Sequence, residues 1–215
     1  SSRSTAARPG AVFCLKDLHK MSLIQPMGFM GGAMYGAWWE AAVSSKFIAL
    51  PIASLTANVI FECDIYCESN KFIIGAAVSS GGRYFCYADS ASSSTVLSGG
   101  DFSEVYVDGV EYLRRDTISA AINDGETHRL RVTKIDMRTV WANLILGGYG
   151  SGFLMDGTIR NVLLRTSDEV VVGSWSLDGN TDADCLDLTG SNDGTVSGSP
   201  SRAISTDGGV TWAKE

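Results

Sequence analysis

The chain has little of what metal binding and catalysis usually need. Only two histidines occur, His19 and His128, and the five cysteines (Cys14, Cys63, Cys67, Cys86 and Cys185) form no Cys-x-x-Cys pair. That removes the usual ligand spacing of a zinc centre. There is no P-loop, no dinucleotide-binding glycine pattern and no catalytic-triad signature. Charged residues make up only 19% and hydrophobic ones 45%, a balance that excludes general disorder. Lysine and arginine total 17 against 24 aspartates and glutamates, a formal charge of -7 that opposes binding to nucleic acid or to an anionic membrane by bulk attraction. Arg3 and Arg8 are too few to make the first ten residues a basic arm, and those residues read as a mobile end with no apolar stretch of a secretory leader. Outside residues 11–45 there is no sustained 3.6-residue apolar period, which excludes a helical bundle.

What is present is a turn-rich, alternating pattern. Glycines number 24 and prolines 4 in 215 residues. Short apolar/polar runs recur every ten to fifteen residues or so, bounded by Gly, Asp or Asn, as in antiparallel strands joined by tight turns. In residues 59–68, Phe61, Cys63, Ile65 and Cys67 fall on one face and Glu62, Asp64, Tyr66 and Glu68 on the other, the mark of a half-buried strand. Residues 71–90 predict a hairpin turning near 79–82. Asp108-Gly109 and Asn123-Asp124-Gly125 are further turn signals, and residues 180–200 read as a loop with one short strand. The expected fold is all-β, an antiparallel two-sheet sandwich.

Residues 11–45 differ from the rest. The stretch 22–39 carries no charge and nears the length of a membrane helix, with Gly32 and Gly36 at GxxxG spacing. Gln25, Pro26 and the glycines dilute it too much to span. Its Met/Gly/Trp-rich character suits an adaptable contact surface. Residues 1–45 are therefore expected to be an irregular N-terminal extension that docks to sister subunits or to a larger particle, with burial against its own sandwich as the alternative, and residues 46–215 the sandwich. Trp38 and Trp39 cannot both point inward from an extended chain, so one is expected at an interface. Cys63 and Cys67 would lie about 13 Å apart on one strand face, too far to pair, and all five cysteines are expected to be reduced.

Five motifs in order resemble the laminin-G-like, concanavalin A-like family. They are the alternating strand 59–67, the hairpin around Asp108-Gly109, the strand entered by Asp124-Gly125-Glu126-Thr127-His128, the run Gly157-Thr158-Ile159-Arg160-Asn161-Val162, and Trp175-Ser176-Leu177-Asp178 followed by Asp187-Leu188-Thr189-Gly190-Ser191-Asn192-Asp193-Gly194-Thr195. Thr127 stands where the family usually has Trp. The resemblance covers roughly residues 46–200 and implies a jelly-roll sandwich; its last motif is of a kind common in bacteriophage and bacterial members. Fold alone does not set function.

Three constellations bear on chemistry. Glucanases of this fold carry closely spaced acids on one strand, but Glu62, Asp64 and Glu68 place the outer pair roughly 20 Å apart, where a retaining pair needs roughly 5 Å and an inverting pair under roughly 10 Å. Oxygen donors at alternate positions, Asp178, Asn180, Asp182 and Asp184, resemble the start of a calcium loop, making calcium the one candidate cofactor. His128 reads as a hydrogen-bonded structural residue, and Trp141, Trp175 and Trp212 as residues able to stack on sugars, of which Trp175, inside an apolar strand, reads as core. The expected function is a non-enzymatic virion component of a bacteriophage, a structural, decoration or host-adhesion protein whose partners are other virion subunits, itself and host-surface glycans. A standalone carbohydrate-binding lectin is the alternative, and a glycoside hydrolase the third reading.

Overall fold

The computed structural model describes residues 32–39, 47–51, 59–68, 71–77, 83–89, 104–113, 115–135, 143–146, 155–190 and 192–215. Among these the architecture is mostly β, with antiparallel sheets and one short α-helix. The first strands are β1 (Met34–Trp38), β2 (Phe47–Pro51), β3 (Val59–Cys67), β4 (Lys71–Ala77), β5 (Arg83–Asp89), β6 (Glu104–Val107) and β7 (Val110–Tyr112). Helix α1 (Arg115–Ile122) follows, then β8 (His128–Ile135), β9 (Asn143–Leu146), β10 (Gly157–Thr166) and β11 (Val171–Trp175). The last three strands are β12 (Thr195–Ser197), β13 (Ser201–Ser205) and β14 (Ala213–Lys214).

A six-stranded sheet runs in the order β11-β10-β3-β8-β6-β7, a five-stranded sheet in the order β12-β2-β9-β4-β5, and a three-stranded sheet in the order β1-β13-β14. The two larger sheets share one core. Ile48, Leu50 and Leu146 from the five-stranded sheet meet Phe61, Cys63, Ile65, Val105, Leu130, Val132 and Ile159 from the six-stranded one. On β3, Phe61, Cys63, Ile65 and Cys67 all lie in that core, as alternation predicts, but the strand is not half-buried: Glu62 and Tyr66 on the other face are buried as well, and only Asp64 is partly exposed. Burial of each large apolar side chain contributes about 1.5–3 kcal/mol.

The hairpin of β4 with β5 is antiparallel, with its expected turn near 79–82 outside the described residues. Asp108 and Gly109, at φ of 49° and 80°, form the tight turn between β6 and β7, the conformation that favours an Asp-Gly pair. On β10 the register slips between Arg160 and Leu163, and Asn161 sits at a φ of 49°. That bulge changes which side faces inward, so Ile159, Val162 and Leu164 all reach the core.

Two features depart from the sequence expectation. Helix α1 is short, and its apolar stripe is only Ile118 and Ile122, four residues apart and fully buried, so no longer period announces it. The other departure lies inside the expected extension 1–45. The chain divides into units Ser1–Met30 and Gly31–Glu215, and in the second, Met34–Trp38 is not irregular but a strand paired antiparallel with Ser201–Ser205. Trp39 bridges to Gly157 through hydrogen bonds of 2.9 and 3.1 Å, and Ala37 and Trp39 join the main core. Trp38 and Trp39 point to opposite sides, as extended neighbours must, yet both are buried. Trp38 packs in a second, smaller cluster with Tyr66, Ala203 and Trp212. The physical reason is that a second apolar layer, supplied by the C-terminal strands, covers the face the sequence left open. Residues 1–31 lie outside the described residues, as does their expected docking role.

Candidate functional site

The strand that a glucanase would use is occupied by ion pairs. Cross-strand register sets Glu62 opposite Arg131 and Asp64 opposite Arg129. Glu62 accepts from Arg129 Nη2 at 2.9 Å and from Arg131 Nη1 at 2.6 Å, with Arg165 Nε at 3.8 Å. Asp64 accepts from Arg129 Nη1 at 2.9 Å and from the side-chain amide of Asn161. Arg131 also reaches Glu169 at 2.6 Å. The pairing of β3 with β8 is regular from Phe61 to Ile65, so no bulge on β3 draws Glu68 back towards Glu62. Glu68 instead accepts from the Tyr66 hydroxyl at 3.0 Å. Burial, reinforced by the Glu68 carboxylate, pushes the Tyr66 phenol up to about 12.

An open groove of about 370 Å³ lies beside this pair, lined by Trp38, Glu68, Asp156, Trp212, Ala213 and Lys214. Its floor is the smaller apolar cluster. The Trp38 indole N–H donates to Asp156 Oδ1 at 2.9 Å, and its ring lies 5.9 Å from that of Tyr66. The Trp212 indole N–H is shared between Thr127 Oγ1 at 3.1 Å and the Gly209 carbonyl at 3.2 Å. The Arg160 guanidinium sits 5.0 Å from the Trp212 ring centroid and pairs with Asp178. Both indoles are nearly buried, so the groove offers their edges within a rim of two carboxylates and one ammonium group. Of the tryptophans proposed as sugar contacts, Trp212 lines the groove, Trp175 is core and Trp141 lies outside the described residues. One of Trp38 and Trp39 was expected at an interface; Trp38 is a groove residue, a place the sequence did not assign to it.

The expected calcium donors face different partners. Asp178 pairs with Arg160, the Asn180 amide donates to the Pro200 carbonyl at 2.9 Å, and Asp182 Oδ1 accepts the Val196 N–H at 2.6 Å. Asp184 Oδ2 accepts from the Thr181 N–H and hydroxyl at 3.0 and 2.6 Å, capping a 3₁₀ turn, Asp182–Asp184. As arranged, the four do not fit a cation cage, and among the described residues no group of three or more His, Cys, Asp or Glu is gathered as metal ligands.

The motifs that carry the family resemblance are built into the fold. Asp187, almost fully buried, accepts the Ser174 N–H at 2.9 Å, the Thr189 N–H and hydroxyl at 3.0 and 2.6 Å, and the Asn192 N–H at 3.1 Å. The Trp175 indole donates to the Asn192 carbonyl at 2.9 Å. Gly157, at a φ of 147°, leaves no room for a Cβ, which would collide with the Tyr66 carbonyl oxygen. His128 lies between two carboxylates, Nδ1 2.6 Å from Asp108 Oδ2 and Nε2 2.8 Å from Asp124 Oδ1.

One turn escaped the sequence reading. Asp207 accepts from the Ser205 hydroxyl at 2.7 Å, the Val210 N–H at 3.0 Å, and the Thr211 N–H and hydroxyl at 3.0 and 2.6 Å. The Thr211 hydroxyl and N–H, with Ser205, hold its carboxyl well below the usual carboxylate range. The available signal was Asp207-Gly208-Gly209 with hydroxyl residues two before and four after the aspartate, ahead of Trp212. No protein-family model, curated protein or solved structure matches the chain.

Proposed function

We propose that the chain is a non-enzymatic adhesion or decoration component of a bacteriophage virion, built on a concanavalin A-like jelly roll of the laminin-G-like type, and that it holds host-surface glycans at the groove between Trp38 and Trp212. The observation that carries this reading is the groove itself. Carboxylates of Glu68 and Asp156 can accept from sugar hydroxyls, the Lys214 ammonium can donate to them, and the indole edges give apolar contact. The absence of catalysis is supported by Glu62, Asp64 and Glu68, each of which is held by an arginine, an amide or a phenol rather than set for proton transfer. The motif order in residues 46–200 supports the family and its virion setting. No step is assigned to calcium. Among the described residues no helix is long and apolar enough to cross a membrane.

The test is sedimentation of the protein with polysaccharide extracted from the bacterial surface, together with reducing-sugar release. Expected are saturable binding, at least a tenfold loss in the paired Glu68→Gln and Lys214→Ala variant, and no sugar release. Absence of binding to every surface polysaccharide tried, or binding that the paired variant leaves unchanged, overturns the assignment.

A further inference from the structure

The cluster Asp108–His128–Asp124 joins three parts of the molecule. Asp108 stands in the β6–β7 turn, where its Oδ1 accepts the Arg129 N–H at 2.8 Å while Oδ2 faces the ring. Asp124 stands in the loop between α1 and β8, where its Oδ1 takes both the ring Nε2 and the Glu126 N–H at 3.0 Å. The same loop reaches the C-terminal turn. The Thr127 N–H donates to the Val210 carbonyl at 2.9 Å, its hydroxyl donates to that carbonyl at 3.0 Å, and the hydroxyl oxygen accepts from the Trp212 indole. Thr127, adjacent to His128, therefore seats a tryptophan of the groove.

Both ring nitrogens face carboxylate oxygens. Only the imidazolium carries an N–H on each and can donate to both; a neutral ring donates once and turns a lone pair towards the other carboxylate. We propose that His128 is a pH-released latch: as the imidazolium it clamps the 123–127 loop to the β6–β7 turn, and its deprotonation loosens that loop and shifts Trp212 at the groove.

Burial alone would lower the imidazole's pKa, but Asp108 and Asp124 outweigh it and hold the value above the ordinary 6.5. The stabilisation is therefore full below about 6.5 and is lost as pH rises through the folded-state value. At the acid end it is lost again as Asp124 protonates, and His128 holds that carboxyl below its usual value. Most other charges on the neighbouring elements are engaged elsewhere. On β8, Arg129 is engaged with Glu62 and Asp64; β3 sets Ile65 opposite His128, with Asp64 and Tyr66 on either side; Glu126 is exposed in the loop; and Asp207 of the C-terminal turn is bound by Ser205 and Thr211.

The test is a pH titration of the full chain by nuclear magnetic resonance, following the His128 ring and the Trp212 indole N–H, the latter assigned by its proximity to Thr127. Expected are a His128 midpoint above about 6.5 and a Trp212 resonance that moves with the same midpoint. In Asp124→Asn the His128 midpoint falls, and the Trp212 midpoint falls with it. A His128 midpoint at or below about 6.5, or a Trp212 resonance that stays flat across the His128 transition, overturns the latch. If the variant does not fold, co-titration in the wild-type chain decides. No ligand enters the measurement, so its outcome is independent of glycan binding.

Discussion

The carboxylate of Asp187 accepts the backbone N–H of Ser174 at 2.9 Å, tying the loop that follows β11 back onto β11 itself. The same carboxylate gathers Thr189 and Asn192, so one buried side chain organises the whole turn. Replacing it with Ala leaves several buried donors without acceptors. Asp187→Ala is expected to lose about 3 kcal/mol of stability, measured by urea unfolding. A loss under about 0.5 kcal/mol, the range of ordinary surface changes, would show that the turn holds without it.

Glu62 is the hub of the charged face, shared by Arg129 and Arg131. Glu62→Gln removes the anion shared by Arg129 and Arg131 and is expected to cost about 1–3 kcal/mol, below a fully buried pair because the arginines are partly solvated. Neither the wild-type chain nor the variant should release reducing sugar. Sugar release by the wild type that Glu62→Gln abolishes would reassign the chain to hydrolysis.

Gly157 and Gly190 separate two causes of strain. A Cβ at Gly157 would meet the Tyr66 carbonyl oxygen, whereas at Gly190, with a φ of 87°, nothing lies within 4 Å. Gly157→Ala is expected to cost about 3 kcal/mol or more and Gly190→Ala about 1 kcal/mol. Equal midpoints for the two variants in thermal unfolding would contradict the close approach of β10 to β3.

Cys185 should be inert in the folded chain. Burial, with Asp184 and Asp182 adding to it, pushes its thiol up to about 12, and the thiol donates to the Thr181 carbonyl at 3.5 Å. At pH 8 roughly one part in ten thousand is thiolate. Alkylation at Cys185, followed by peptide mass mapping, should be at least about 100-fold slower than in a peptide, and denaturant should make all five thiols titratable. A titre of three groups or one would mean a disulfide.

Truncation distinguishes the two parts of the amino-terminal region. Removing residues 1–31 should preserve the β circular dichroism. Removing 1–45 also deletes β1 and Trp39, and is expected to cost at least about 3–5 kcal/mol for the lost indole alone. Equal stability of the two truncated chains would exclude Met34–Trp38 from the fold.

Much of the sheet structure was legible because its signals are local. The alternation in 59–67 and the Asp108-Gly109 turn each need only a few neighbouring residues, and both appear in the structure. Pairings between distant segments were not legible. Nothing near Trp38 announces that Ala203 and Trp212 will cover it, so an apolar segment read as an exposed docking surface. The candidate site divides in the same way. Glu62, Asp64 and His128 stood out by residue type, but the partners Arg129 and Arg131 follow from strand register, and Asp108 and Asp124 from the turn and the loop that bring them to the ring. Alternating oxygens in 178–184 suggested one cation, whereas the folded loop gives each donor its own contact.

The antiparallel pairing of β1 with β13 has a consequence for biosynthesis. Strand β1 leaves the ribosome long before its hydrogen-bonding partner, Ser201–Ser205. Until then its backbone donors have no neighbouring strand of that sheet to pair with. Completion of the three-stranded layer must therefore await synthesis of β13 and β14, and this layer should be the slowest to become protected from proteolysis during refolding, because closing so long a loop precedes any gain from its contacts.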